Sequence, residues 1–120
     1  MNNEELYSTG YYLAKAGSYS DALEFLNAGT DKNDVRFLTM IGYSTRKLGM
    51  IEEGMNYYGK ALAIDPNSVT TREYLGEAYL QKKDLAGAEG QLTEIANRCG
   101  TTCETYVTLQ TEIGKYRSGL

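Results

Sequence analysis

Histidine and tryptophan are absent from this chain of 120 residues, proline occurs once, and cysteine and phenylalanine occur twice each. Without histidine the usual general base near neutral pH is missing, and a serine or cysteine nucleophile would need another activator. Two thiols with no imidazole cannot complete a four-ligand zinc site within one chain, so neither a metal nor a cofactor is expected. No apolar run approaches the roughly 18 residues that cross a bilayer. The opening "MNNEELYSTG" has neither the basic n-region nor the apolar h-region of a secretory signal. Such a signal can be removed from a chain, so this leaves the compartment open. A net charge of −4 opposes a nucleic-acid backbone as the main partner.

What is present suits one globular domain. Hydrophobic residues make up 42% and charged residues 23%, too apolar a mixture for disorder. Thirteen glycines lie mostly inside apolar-periodic segments, which suggests closely packed backbones and not a loop-rich β fold. Eleven tyrosines make the aromatic surface amphipathic, with hydroxyls that seek partners.

The chain repeats itself. Gly76 follows Gly42 by 34 positions, and Gly42 follows Gly10 by 32. Around these glycines, Leu6, Leu38 and Arg72 share a column, as do Leu13, Thr45 and Tyr79. A turn column holds Gly17, Gly49 and Lys83; then come Tyr19, Ile51 and Leu85, and small Ala22, Gly54 and Ala88. Leu26, Tyr58 and Leu92 follow, then Gly29, Ala61 and Ile95. Spacings of three, four and seven in each half predict two amphipathic helices per unit. The small residues mark where the two helices cross closely, and Ser18 with Asp21, then Asp84, read as helix starts.

These columns, together with the segment "KALAIDPNS", resemble the tetratricopeptide repeat, a 34-residue helix–turn–helix unit. The resemblance implies an all-α fold, a right-handed α-solenoid of antiparallel helix pairs, over a single domain of residues 1–120. Repeats fall at about 3–34, 35–68 and 69–102, with a capping helix at about 102–119. Pro66 then has a reason: it cannot continue a helix and disfavours helix before it, so it closes the second unit and Asn67 and Ser68 begin the third. Four departures stand out. The first copy ends "AGTDKND" without proline, Arg72 replaces an apolar residue, Lys83 replaces the turn glycine, and "CGTTC" stands where the third copy's proline would fall.

Thr101 and Glu104 are spaced as a capping box, and Tyr106, Leu109, Ile113 and Tyr116 recur at three and four. A seventh helix covering the otherwise open apolar end of the stack is expected. Cys99 and Cys103 lie at this junction. A four-residue separation broken by Gly100 permits a disulfide, the favoured reading, which would pin the cap to the third repeat. The alternative is a pair of reduced, half-buried thiols. The tail "CGTTCETY" looks like that of exported bacterial repeat proteins, which tilts the expected location to the periplasm over the cytoplasm.

No constellation for catalysis is visible. Glu4–Glu5 and Glu52–Glu53 are helix neighbours pointing about 100° apart, so they do not converge as a dyad would. They suit helix starts. No phosphate-cradling loop is present. In the tetratricopeptide family the first helix of each unit lines a groove that holds an extended peptide or a helix. By register the resemblance assigns to that groove Tyr7, Tyr11, Arg36, Thr39, Met40, Tyr43, Arg46, Lys47, Glu73, Tyr74 and Glu77. Chaperone-docking members hold a terminal carboxylate with lysine, arginine and asparagine. Here Tyr7 and Tyr11 stand in the places of the first lysine and asparagine, and Met40 in that of the second asparagine. Thr70 and Tyr74 stand in those of the remaining cations, so such a clamp is not expected. The expectation is therefore a non-enzymatic adaptor, scaffold or assembly factor that binds another protein's peptide or helix along a tyrosine-rich groove. The alternative is a homo-oligomer formed through repeat surfaces.

Overall fold

The computed structural model describes residues 1–119 and contains seven α-helices, with no strand among the described residues. They divide into two compact units, Met1–Pro66 and the chain from Asn67 onward. None of the helices is long and apolar enough to cross a membrane, again among the described residues.

The first unit holds two helix pairs: α1 (Asn3–Lys15) with α2 (Tyr19–Asn27), and α3 (Val35–Lys47) with α4 (Ile51–Ile64). α3 also lies against both α1 and α2. Between α3 and α4 two glycines let the backbones meet. A β-carbon on Gly42 would stand 2.9 Å from the Gly54 carbonyl oxygen, and one on Gly54 would stand 2.7 Å from that of Gly42. Between α1 and α2 the small residue makes room for a side chain, since a β-carbon on Gly10 would lie 2.5 Å from Leu26 Cγ. Leu26, Ala14, Ala22, Tyr58 and Ala61 are fully buried around these crossings. The Tyr58 hydroxyl, which could not be buried cheaply alone, accepts from Arg46 Nε at 3.1 Å.

The second unit pairs α5 (Val69–Gln81) with α6 (Leu85–Cys99) and adds α7 (Glu104–Arg117), which packs on both. Its core is Ala88, Ile95, Leu109 and Ile113, with Leu85, Leu92, Tyr79 and Tyr106 packed against it. Gly76 was expected to serve the crossing of α5 with α6. It serves α7 instead: a β-carbon there would lie 2.6 Å from Leu109 Cδ2. The Gly87 backbone takes the place at the α5–α6 crossing, against the Tyr79 ring.

The turn column is real at all three positions. Gly17, Gly49 and Lys83 adopt φ of 88°, 99° and 63°. In each, the next residue's amide donates back five positions, from Ser18 to Leu13, Met50 to Thr45 and Asp84 to Tyr79, at 2.8, 3.2 and 2.8 Å. Lys83 thus takes a left-handed conformation that glycine adopts with less strain.

Helix starts follow the sequence only in part. Asp84 accepts from Gly87 N, Ser68 from Thr71 N and Asp34 from Arg36 N, as N-caps do. Asn2 and Glu5 form a reciprocal capping box that the sequence reading did not identify. Two expected caps do not form. Ser18 makes no side-chain cap bond, and Thr101 with Glu104 is not a capping box, because α7 begins one residue after Cys103, which holds the N-cap position.

The departures from the repeat pattern are compensated locally. In place of proline, the first unit's connection is tied down by Lys32 Nζ, which donates to Asn27 O at 3.1 Å and Gly29 O at 2.9 Å. Thr30 exchanges hydrogen bonds with the Asn3 side chain at 2.9 and 3.2 Å. Arg72 turns its polar end onto α6, donating to Gln91 Oε1 at 3.1 Å and standing 3.7 Å from Glu94. Burial pushes its guanidinium pKa down. Glu94 also accepts from Arg98 at 2.8 Å, and Arg98 Nε donates to Asn67 Oδ1 at 3.0 Å.

Candidate functional site

Helical spacing puts Tyr7, Tyr11 and Lys15 on one stripe of α1, and Arg36, Met40, Tyr43 and Lys47 on one stripe of α3. Packing of α1 on α3 brings these stripes together. The Tyr7 ring lies 6.0 Å from that of Tyr11 and 5.6 Å from that of Phe37. Burial raises the Tyr7 phenol pKa, so its hydroxyl stays a donor. Tyr12, 71% exposed, meets Tyr11 edge-on at 5.4 Å.

Arg36 closes one end of this face. Its guanidinium lies 4.7 Å from the Tyr7 ring centroid and is bidentate to Glu4, at 2.8 and 3.2 Å. It also donates to both oxygens of Asp34, at 3.1 and 3.3 Å. The hydrogen bond from Arg36 holds the Glu4 carboxyl below its ordinary pKa. Asp34 is pushed up by burial, but its bonds from Arg36 outweigh this and leave it lowered as well. Arg36 itself is held more firmly protonated, first by Glu4 and then by Asp34.

The other end is cationic. Lys15 Nζ stands 5.1 Å from the Tyr43 ring centroid, Lys47 Nζ 5.5 Å and Arg46 Cζ 5.6 Å. Tyr19, the first residue of α2, meets Tyr43 edge-on at 6.2 Å. Lys15 and Lys47 are exposed, while Arg46 is 2% exposed and reaches inward to Tyr58.

Of the eleven residues assigned by register, the structure brings Tyr7, Tyr11, Arg36, Tyr43 and Lys47 into this one face. Thr39, Met40 and Arg46 sit on the same helix but are buried, at 4%, 1% and 2% exposure. On α5 of the second unit, Tyr74 is buried at 5% and Glu73 and Glu77 are half-buried. Lys15, Tyr12 and Tyr19 were missed, although Lys15 lies four residues after Tyr11 and is the partner in register of Lys47. Cys99 and Cys103 form a disulfide, with α-carbons 6.0 Å apart, joining the last residue of α6 to the N-cap of α7. Among the described residues no group of three histidine, cysteine or acidic side chains is placed to hold a metal.

No protein-family model and no curated protein matches the chain. Solved structures do. The Yersinia enterocolitica type III secretion chaperone SycD, in complex with a peptide of the translocator YopD, is 24% identical over 97% of this chain and 89% of its own, with a TM-score of 0.76. Pseudomonas aeruginosa PcrH, with the chaperone binding region of PopB, is 25% identical over 95% and 93%, with a TM-score of 0.75. A type III secretion complex from Aeromonas hydrophila is 20% identical over 98% and 81%, with a TM-score of 0.79. The fold is the tetratricopeptide type. Its helix pairs, repeated turn geometry and all-α content are those the repeat columns predicted.

Proposed function

We propose that the chain is a non-enzymatic binding module that holds a peptide or helical segment of another protein, with the α1–α3 face of the first unit as its main contact. The observation that carries this reading is that face itself: half-buried Tyr7 and Tyr11, exposed Tyr12, and cations laid over the rings. Tyrosines bury large area with little loss of side-chain freedom and keep a hydroxyl for a partner's backbone, which suits recognition over catalysis. Likeness to SycD, solved with a peptide of the translocator YopD, and to PcrH, solved with the chaperone binding region of PopB, supports the same role. On α5, the repeat register gives Glu73, Tyr74 and Glu77 the corresponding part in the second unit. The single-domain organisation of three repeats and a cap, at the boundaries read from the sequence, is part of this proposal. The Cys99–Cys103 disulfide favours an oxidising compartment such as the periplasm.

Selection from a random-peptide display library tests the role. The wild-type chain is expected to enrich a family of related sequences, and the Tyr7→Ala, Tyr11→Ala double variant to lose them at unchanged helicity. Equal enrichment by both proteins overturns the assignment. Tyr43 is the poorer probe, because at 9% exposure its removal also opens the packing.

Self-association is a second reading, favoured by a different surface. Met1, Leu6, Glu24, Phe25 and Ala28 line a shallow hollow of about 450 Å³ beside α1 and α2, where Met1 is 67% exposed. A second copy would bury these apolar groups. Light scattering across concentration decides it: a dimer that Leu6→Glu dissolves supports this reading, and a monodisperse monomer removes it.

A further inference from the structure

Among the described residues, two side-chain oxygens are shut off from solvent with no hydrogen-bond partner, Ser44 Oγ and Glu77 Oε2. Ser44 is 0% exposed, so nothing outside the chain can reach it. Glu77 differs, because it is half-buried and its carboxylate lies at the edge of solvent. Other acidic groups of the second unit are answered: Glu94 accepts from Arg98, Glu89 from Arg117 and Asp84 from the Gly87 amide. A carboxylate oxygen that loses water and gains no donor in exchange destabilises the chain that carries it. The cost falls on one particular face of α5. Helices α6 and α7 pack on the side that bears Arg72, Gly76 and Tyr79. Glu77 is rotated about 100° from Gly76, on the stripe it shares with Thr70, Tyr74 and Gln81.

We propose that Glu77 is a subsite for a basic side chain, lysine or arginine, of the segment that the second unit holds along α5. This inference rests on the peptide-binding reading and specifies the chemistry of the ligand. An ammonium or guanidinium supplies the donors that the carboxylate lacks, and a charge-assisted bond at a half-buried site is stronger than one in open water. A neutral donor such as glutamine would satisfy the oxygen but leave its charge uncompensated, and an acidic side chain would be repelled. The discrimination therefore comes from the same feature that burdens the free chain. Binding of the right segment removes the cost of the unanswered carboxylate, and binding of the wrong one does not.

A random-peptide display library tests this on wild type, Glu77→Gln, Glu77→Lys and Glu53→Gln. Wild type is expected to enrich sequences with lysine or arginine at one shared position, favoured over glutamine there by about five- to tenfold. Glu77→Gln should reduce that preference to within about twofold, and Glu77→Lys should favour an acidic residue at the same position. Glu53→Gln, which changes an exposed carboxylate on α4, should keep the basic preference. Thermal melting without peptide gives an independent reading: Glu77→Gln, which removes the sealed charge, should melt about 2–4 °C higher than wild type. An equal or lower melting temperature means that the carboxylate costs the chain nothing, and the inference falls. An enriched family with no basic position, or with one that Glu77→Gln retains, leaves peptide binding standing and removes the subsite. No enriched family from wild type removes both.

Discussion

Gly42 and Gly54 face each other across α3 and α4 with main chain against main chain, each blocking the other's missing β-carbon by its carbonyl oxygen. A side-chain obstacle can rotate away, but a helical carbonyl cannot move without shifting the helix. Gly42→Ala and Gly54→Ala should therefore each destabilise the chain by about 1–3 kcal/mol, despite alanine's better helix propensity. Gly59 lies in the same α4 helix, is exposed, and has nothing within 4 Å of its would-be β-carbon. Gly59→Ala should stabilise by about 0.5–1 kcal/mol. Urea unfolding of the three variants checks the contrast, and a uniform sign across them would contradict the close crossing.

The Glu4–Arg36–Asp34 cluster gives stability a defined pH dependence. Both carboxyls have folded pKa values below their ordinary ones, Glu4 through the hydrogen bond from Arg36 and Asp34 because the same guanidinium outweighs its burial. A depressed carboxyl contributes stability fully present above its unfolded pKa, about 4 for these groups, and lost as pH falls through the folded value. The melting temperature of wild type should exceed that of Glu4→Gln by a constant margin above about pH 5, a margin that closes towards pH 2. Glu4 is fully exposed, so the margin is small and falls with added salt. An unchanged margin in acid would show that Glu4 stabilises by something other than its charge.

How much of this could be read from residues alone depended on whether the signal was periodic. The helix pairs and the turn at Lys83 were legible because three copies align, so that a lysine could be assigned a glycine's place. The electrostatic division of the α1–α3 face was not. Arg36, Arg46 and Lys47 look alike in sequence. Only packing decides that Arg36 meets Glu4, 32 positions earlier, that Arg46 turns inward to Tyr58, and that Lys47 joins Lys15 over Tyr43. The burial of Met40 and Thr39 was equally hidden, since register gives the direction of a side chain on its helix but not what lies over it. Gly76 was misread for the same reason: its column said that something packs close, and the partner came from α7, outside the repeat.

The disulfide makes the cap's attachment testable. Cys99 ends α6 and Cys103 precedes α7, so the bond closes a very short loop. Loop-closure entropy for so short a loop gives about 2 kcal/mol. Denatured, unreduced protein should show no titratable thiol, and Cys99→Ser with Cys103→Ser should lower stability by about that amount. Amide exchange should accelerate first in α7, because its N-terminus loses its tether while Leu109 and Ile113 still hold its middle. Two free thiols in protein purified without reductant would remove the tether and the argument for an oxidising compartment with it.

Leu109 and Gly76 allow the capping role of α7 to be measured by a double-mutant cycle. Leu109 is fully buried, and its two methyl carbons would lie 2.6 and 2.8 Å from a β-carbon on Gly76. Leu109→Ala removes that contact and should cost about 2–5 kcal/mol. Gly76→Ala forces the leucine aside and should cost about 1–2 kcal/mol after alanine's propensity gain. In the double variant the new methyl occupies part of the space the leucine vacated, so the combined loss should fall short of the sum by about 1 kcal/mol or more. This is the reverse of what the Gly42–Gly54 crossing allows, where no side chain can be trimmed to make room. Additivity within about 0.5 kcal/mol would mean that α7 does not rest on Gly76, and that the second unit's apolar face is covered in some other way.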